Sequence, residues 1–136
     1  MTVQQDELSS MLKCFLVEDS PIIRQNLIAM LEEMLLMKVV GTAENEQSAL
    51  QWMRTPGAQC ELMIIDIFLK AGSGLEVLKH AAQWQPQAKR VVLTNYATPE
   101  MRRRCTELGA AKVFDKSSEL EELLAYCETL SAPLAH

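Results

Sequence analysis

Five polar residues with side chains suited to catalysis or metal binding follow short apolar runs in the sequence, directly or within two residues. They are Glu18, Asp19, Asp66, Thr94 and Lys116. In an open sheet of parallel strands flanked by helices, ligands bind outside the carboxyl ends of the strands. If the apolar runs are such strands, three carboxylates, a hydroxyl and an amine all lie at one edge of the sheet.

This combination predicts a magnesium-dependent phosphoryl-transfer site. Three carboxylates about 5 Å apart repel one another by roughly 3 kcal/mol per pair at an effective dielectric constant near 20. A hard divalent cation such as Mg²⁺, which takes oxygen ligands, explains why they are collected. An aspartate can then act as the nucleophile and form an aspartyl-phosphate. Lys116 can pair with that carboxylate or with phosphoryl oxygens, and the Thr94 hydroxyl can donate to another oxygen.

Each residue taken alone also has a structural interpretation. The acidic pair Glu18-Asp19 is favoured at a helix N-terminus by the helix dipole. Asp66 can end a strand as a turn or cap residue, Thr94 suits a strand, and Lys116 suits a solvated surface. The combination, not any single member, favours chemistry.

Two alternating patterns predict five βα units. Short apolar runs without polar alternation are typical of strands buried on both faces, and stretches of helical spacing lie between them. This alternation implies parallel strands joined by right-handed crossovers, with helices on both faces of the sheet. The second and fifth runs are the shortest and stand beside Lys38 and Lys112, which favours edge positions. The runs are residues 14–17, 39–40, 62–65, 91–93 and 113–114.

Helix boundaries are also marked in the sequence. Ser20 and Thr98 are each followed by proline, which predicts an N-cap with proline at the first helical position. Ser118 with Glu121 predicts a capping box. Gly109 is a candidate for the glycine that ends the fourth helix.

The composition limits the chain to one globular domain. It has 136 residues, of which 49% are hydrophobic and 23% charged, close to the average for globular proteins. A chain of this size can bury a substantial core. We expect a loose leader at residues 1–11, one domain over residues 12–130 and a short tail at residues 131–136.

Charge, cysteines and hydropathy exclude several classes of protein. The net charge of −5 disfavours nucleic-acid binding by bulk electrostatics. The four cysteines form no CxxC pair and lie in or beside apolar stretches, so we expect buried, reduced thiols and a cytoplasmic location. No apolar run approaches the ~18 residues that a membrane span needs. We therefore expect no direct nucleic-acid contact and no membrane contact.

Four motifs lie at the ends of predicted strands: FLVEDS at 15–20, IIDI at 64–67, LT at 93–94 and FDKS at 114–117. A fifth, GSGLEVL at 72–78, lies at the start of the predicted third helix. Together they resemble the receiver domain of bacterial two-component response regulators (CheY-like), of the single-domain type. The resemblance covers residues 12–130. It implies an α/β fold, the (βα)5 flavodoxin-like doubly wound parallel sheet with strand order 2-1-3-4-5.

The resemblance also implies a role for each candidate site residue. Asp66 is the phosphoacceptor, Thr94 the switch hydroxyl and Lys116 the site lysine. The implied Mg²⁺ ligands are Glu18, Asp19, Asp66 and the main-chain carbonyl of Phe68.

The partners follow from the same resemblance. A sensor histidine kinase or a phosphotransfer protein would donate the phosphoryl group. The modified aspartate would bias a surface made of the fourth helix, fifth strand and fifth helix. We expect the output to be protein–protein binding by a stand-alone regulator that catalyses only its own phosphorylation and dephosphorylation. Whether phosphorylation drives formation of a homodimer is left open.

The sequence departs from the family pattern after the fifth strand. Ser117 replaces the usual proline that follows the lysine in a cis peptide bond, and we expect a trans bond here because a cis bond would cost about 3 kcal/mol. Val113 stands where the aromatic switch residue is usual. Phe114, one place later, is expected on the opposite face of the strand.

Two bulky residues, Phe68 and Tyr96, occupy positions that often tune dephosphorylation in the family. Both could shield a phosphoryl group from water. We therefore predict slow loss of phosphate from Asp66.

Other functions fit this sequence less well. A pseudo-receiver that binds partners without phosphorylation is the main alternative, given Val113 and Ser117. A hydrolase of the haloacid type commonly has a second aspartate where this chain has Phe68, and a flavin carrier would be repelled by Glu18-Asp19. The arginines at 102–104 predict a solvated helix face or, alternatively, a docking surface.

Overall fold

The computed structural model describes residues 11–131. Five parallel strands form one sheet in the order β2-β1-β3-β4-β5, and a helix follows each strand. The strands are β1 (Leu12–Val17), β2 (Met37–Ala43), β3 (Leu62–Ile65), β4 (Lys89–Thr94) and β5 (Lys112–Asp115). The helices are α1 (Pro21–Met34), α2 (Glu46–Arg54), α3 (Gly74–Trp84), α4 (Pro99–Glu107) and α5 (Leu120–Ser131). The predicted fold class and strand order are confirmed, including the edge positions of β2 and β5.

The sheet separates two hydrophobic cores because side chains alternate between its faces. Along β1, Cys14 and Leu16 enter one core, whereas Phe15 and Val17 enter the other. Helices α1 and α5 close the first core, and α2, α3 and α4 close the second. Burial on both faces explains why β1 and β3 read as continuous apolar runs.

The strand register brings the carboxyl ends of the strands together. Val17 pairs with Ile65, which pairs with Val92. At the other side of the sheet, Thr94 pairs with Asp115. The residues that follow β1 and β3 therefore lie side by side, and the end of β4 lies next to the end of β5.

Most of the predicted helix boundaries are present. The Ser20 hydroxyl accepts from the N–H of Ile23, and the Thr98 hydroxyl accepts from that of Met101. Gly109, with φ of +104°, follows the end of α4, a conformation that glycine adopts without steric strain.

The predicted capping box at Ser118 is wrong. Helix α5 begins at Leu120, and the N–H of Ser118 donates to the Asp115 carboxylate at 3.1 Å. The preceding turn competes for Ser118 because an aspartate readily accepts bonds from backbone N–H groups two and three residues ahead.

Four of the five strands exceed the apolar runs that predicted them, whereas β3 matches its run at 62–65. β2 covers seven residues rather than the pair at 39–40, because an edge strand alternates exposed and buried positions. The predicted leader lies outside the described residues except for Met11, and so does the tail after Ser131. None of the described helices is both long and apolar enough to cross a membrane.

Candidate functional site

Backbone hydrogen bonds that continue the sheet fix three of the candidate residues at its carboxyl edge. The N–H of Glu18 donates to Ala43 at 2.9 Å, and that of Asp66 donates to Val17 at 2.9 Å. The N–H of Lys116 donates to Thr94 at 2.8 Å. These side chains are therefore placed by the ends of strands rather than by free loops.

The Lys116 ammonium group joins two of the carboxylates. Its Nζ donates to Glu18 Oε1 at 2.8 Å and to Asp66 Oδ2 at 3.1 Å. Glu18 and Asp66 are both buried, and burying a carboxylate is unfavourable unless it is paired. One ammonium group therefore stabilises two carboxylates.

Glu18, Asp19 and Asp66 form a cluster suited to a hard cation. One carboxylate oxygen from each lies within 4.8 Å of the others. The N–H of Lys70 donates to Asp19 Oδ2 at 2.8 Å, and the N–H of Phe68 donates to Asp66 Oδ1 at 3.3 Å. Oxygen-only donors at this spacing fit Mg²⁺, which prefers carboxylates and retains several waters.

Burial changes the protonation of the central carboxyl group. Removal from water raises the pKa of Asp66 to about 6, Glu18 adds to the rise, and Lys116 opposes it. Burial would lower the pKa of Lys116, but its bonds to Glu18 and Asp66 outweigh that effect and raise the pKa above its ordinary value. At neutral pH, Asp66 is therefore an ionised carboxylate beside an ionised amine.

A small cavity of about 200 Å³ opens at this cluster. The predicted site residues that line it are Glu18, Asp19, Asp66, Phe68 and Lys116. Tyr96, which the sequence predicted to shield the phosphoryl group, also lines it, together with Ser20, Ile23 and Asn95, to which no role at the site was assigned from the sequence. Thr94 is fully buried at the end of β4, beside the cavity rather than in its lining.

Two exposed aromatic rings meet at the mouth of this cavity. Phe68, in the loop after β3, and Tyr96, in the loop after β4, are 51% and 62% exposed. Their ring centroids lie 4.9 Å apart at an interplanar angle of 71°, the favoured edge-to-face arrangement. The backbone N–H of Tyr96 also donates to the Thr94 hydroxyl at 3.2 Å.

Comparison with known proteins assigns the fold to a family. The model of the family described as the response regulator receiver domain matches residues 14–128. The chain belongs to this family. Receiver domains are signalling phosphoacceptors that bind Mg²⁺ at an acidic site and interact with histidine kinases or phosphotransfer proteins.

Individual relatives agree with this assignment. The chain is 30% identical over 90 residues to the DNA-binding transcriptional activator DevR/DosR of Mycobacterium tuberculosis, covering 66% of this chain and 41% of that protein. It is 25% identical over 115 residues to the response regulator UvrY of Escherichia coli K12, covering 85% of this chain and 52% of that protein. The chain thus spans about half the length or less of these relatives.

A solved structure of a LuxR-family response regulator from Aurantimonas sp. SI85-9A1 is 25% identical, with a TM-score of 0.79. The match covers 90% of this chain and 86% of that one. A CheY-like receiver domain from Methanospirillum hungatei JF-1 is 22% identical, with a TM-score of 0.78, over 92% of this chain and 97% of that one. The second likeness concerns the fold alone.

After β5, this receiver domain has the conformation that the sequence predicted. The peptide bond between Lys116 and Ser117 is trans. Val113 packs in the core beneath α4, whereas Phe114 packs in the opposite core. The Asp115 carboxylate holds the turn by accepting from the backbone N–H of Ser117 at 2.8 Å.

Two residues of this receiver domain, Arg102 and Asp115, have structural roles that were not predicted from the sequence. Arg103 and Arg104 are exposed as expected, but Arg102 is partly buried and bonds to Glu119. The role of Asp115 could have been predicted, because an aspartate two residues before a serine is a recognisable signal for a turn. No local signal marks the pairing of Arg102 with Glu119, because they are 17 residues apart.

Proposed function

We propose that the chain accepts a phosphoryl group on Asp66 from a histidine kinase or phosphotransfer protein, in a Mg²⁺-dependent reaction, and signals by protein–protein binding. One observation carries the proposal. The Asp66 carboxylate lies in an open cavity, bonded to Lys116 and clustered with Glu18 and Asp19. Membership of the receiver family supports it.

The transfer step follows from the chemistry of the groups. A carboxylate oxygen of Asp66 forms a bond to phosphorus while the bond between phosphorus and the donor nitrogen breaks, and that nitrogen keeps the electron pair. Because the pKa of Asp66 is about 6, the nucleophile is mostly ionised at neutral pH. Lys116 stabilises negative charge on the phosphoryl oxygens.

The metal and the hydroxyl have supporting roles in the proposal. Glu18, Asp19, Asp66 and the Phe68 carbonyl would hold Mg²⁺, which lowers the repulsion between the carboxylate and the phosphoryl group. The Thr94 oxygen accepts a hydrogen bond in this structure. A hydroxyl group that accepts a bond can also donate its own hydrogen, and we propose that Thr94 donates it to a phosphoryl oxygen.

The surface made of α4, β5 and α5 is the proposed output surface. The stand-alone arrangement and phosphorylation-dependent dimerisation stay predictions. The curated relatives are longer than this chain, and the proposal concerns the receiver domain only.

The proposal is tested by incubating the protein with Mg²⁺ and acetyl phosphate and then measuring the intact mass. We expect one added phosphoryl group that is absent in Asp66→Asn and without Mg²⁺. Glu107→Gln is the matched control, because Glu107 is an exposed acid that does not line the cavity, and it should be modified normally. No adduct, together with no binding of beryllofluoride, would indicate the pseudo-receiver instead.

A further inference from the structure

The guanidinium group of Arg102 joins three separate segments of the chain. Its Nε donates to the carbonyl of Ala97 at 3.0 Å, and its Nη1 donates to that of Val113 at 2.8 Å. Its Nη2 donates to Glu119 Oε1 at 2.6 Å. One side chain of α4 therefore holds the β4–α4 loop, β5 and the β5–α5 loop together.

Glu119 extends this link into the loop that carries the site lysine. The oxygen that accepts from Arg102 also accepts from the backbone N–H of Asp115 at 2.8 Å, and the N–H of Glu119 donates to the Asp115 carbonyl at 2.9 Å. Bonds from Arg102 and from the Asp115 N–H lower the pKa of Glu119. Two hydrogen bonds between Asp115 and Glu119, at the two ends of the turn, therefore close the turn that contains Lys116.

The segments joined by Arg102 also carry the site residues. Ala97 follows Thr94 and Tyr96 in the β4–α4 loop, and Glu119 follows Lys116 in the β5–α5 loop. Arg102 itself is not part of the cavity lining. It can therefore influence the site and the output surface only through the loops that it holds.

The link reaches β5 through the backbone of Val113, because the side chain of Val113 is apolar and packs in the core beneath α4. The backbone carbonyl of Val113 is the acceptor for Arg102. A planar guanidinium group with five N–H donors can hold three acceptors in fixed directions, which a lysine ammonium group cannot do in the same way.

We propose that Arg102 is a positioning residue that couples the Asp66 site to the surface of α4, β5 and α5. A displacement of the β4–α4 loop at Thr94 moves Arg102 through Ala97, and Arg102 moves Glu119 and the start of α5. The proposal rests on the proposed function, since it assigns the route by which phosphorylation changes the surface. Coupling of this kind needs an element that both sites bias, and the bonded loops provide it.

The test is amide hydrogen exchange measured by mass spectrometry, with and without Mg²⁺ and beryllofluoride. The variants are Arg102→Met, Arg102→Lys and, as the matched control, Arg103→Met, since Arg103 is exposed on the same helix. The extent of Asp66 phosphorylation by acetyl phosphate is measured on the same samples.

We expect beryllofluoride to change exchange in α4 and α5 in the unmodified protein and in Arg103→Met. In Arg102→Met the response of α5 should be lost, while phosphorylation of Asp66 stays at the unmodified level. Arg102→Lys should also lose most of the α5 response, because the donors of an ammonium group all lie on one nitrogen and cannot reach three acceptors that Arg102 contacts through three separate nitrogens.

An unchanged α5 response in Arg102→Met overturns the proposal. So does loss of phosphorylation in that variant, because Arg102 would then act on the site itself. If Arg102→Met does not fold, Arg102→Lys decides, and a full α5 response in it overturns the proposal. Failure of the unmodified protein to bind beryllofluoride or accept phosphate is a different result, which contradicts the proposed function.

Discussion

Asp66 shares its surroundings with two other carboxylates and one ammonium group. Lys116 is bonded to both Glu18 and Asp66, so the pair of acids carries one more negative charge than the lysine can offset. Burial adds to this imbalance and raises the pKa of Asp66 to about 6. The feature that makes Asp66 suited to receive a phosphoryl group therefore also makes its ionised form unfavourable in the folded chain.

We predict that Asp66→Asn stabilises the protein at neutral pH when no divalent metal is present. The pKa of Asp66 is raised from 3.8 to about 6, so the folded state binds this proton more tightly than the unfolded state does. The free energy of unfolding of the unmodified protein should then fall as pH rises from about 4 to about 6. The variant should be more stable above pH 6 by about 1 to 3 kcal/mol, the larger figure applying without solvent screening.

Urea unfolding in EDTA at several pH values measures this difference. Asp115→Asn is the matched control of opposite sign, because bonds from Ser117 and Ser118 lower the pKa of Asp115. Loss of the Asp115 carboxylate should lower the free energy of unfolding at neutral pH. This decrease should become smaller in acid, as the pH falls through the pKa that Asp115 has in the folded protein. If the free energy of unfolding of Asp66→Asn and that of the unmodified protein differ by the same amount at every pH, the result would contradict the account.

The loops after β3 and β4 border the cavity on two sides through Phe68 and Tyr96. Each ring is largely exposed, but the rings contact each other edge to face. A water molecule that approaches Asp66 between these loops must pass the aromatic pair. The loop conformations, more than the strand ends, should therefore set the lifetime of a phosphoryl group.

We predict that Tyr96→Ala speeds the loss of phosphate from Asp66. An edge-to-face pair contributes about 0.5–1.5 kcal/mol, so its loss should raise the open population, and the hydrolysis rate, by about 2- to 10-fold. The decay of phosphorylated protein after removal of the phosphodonor gives the rate. Trp84→Ala removes another partly exposed aromatic ring, one that does not line the cavity, and should leave the rate unchanged.

Two results would count against shielding by the pair. One is an unchanged decay rate in Tyr96→Ala. The other is a half-life of only seconds in the unmodified protein, since the paired rings should slow hydrolysis.

Elements whose signals are local could be predicted from the sequence. The existence and order of the strands, the caps at Ser20 and Thr98 and the edge positions of β2 and β5 follow from apolar runs and turn residues, whereas the strand lengths do not. The link between Arg102 and Glu119 could not, because it joins side chains that only the tertiary structure brings together. The predicted cap at Ser118 does not form because the backbone N–H of Ser118 donates to Asp115 in the preceding turn.

At the scale of the whole molecule, the site lies where the ends of β1, β3 and β5 meet, between two cores. Glu18 and Asp66 belong to the buried part of the structure. A cation that binds them binds only the folded chain, so it raises the free energy of unfolding by an amount that grows with its concentration relative to the dissociation constant. Metal binding should therefore be visible in global unfolding.

We predict that Mg²⁺ raises the midpoint of thermal unfolding. At a concentration about 100-fold above the dissociation constant, the added stability is about 2.7 kcal/mol. Asp19→Asn should lose most of this gain, because Asp19 supplies one of the clustered carboxylates. Glu107→Gln removes an exposed acid on α4 and should keep the gain. Equal gains in both variants would mean that Mg²⁺ acts on general surface charge.

The central claim is that Asp66 carries the phosphoryl group, and the most direct measurement locates that group. The protein is incubated with Mg²⁺ and acetyl phosphate, reduced with borohydride, which converts an acyl phosphate to an alcohol, and digested for peptide mass spectrometry. The account predicts reduction at residue 66 alone, and none when Mg²⁺ or the phosphodonor is omitted. Reduction at Asp19 or Asp115 with residue 66 intact would contradict it.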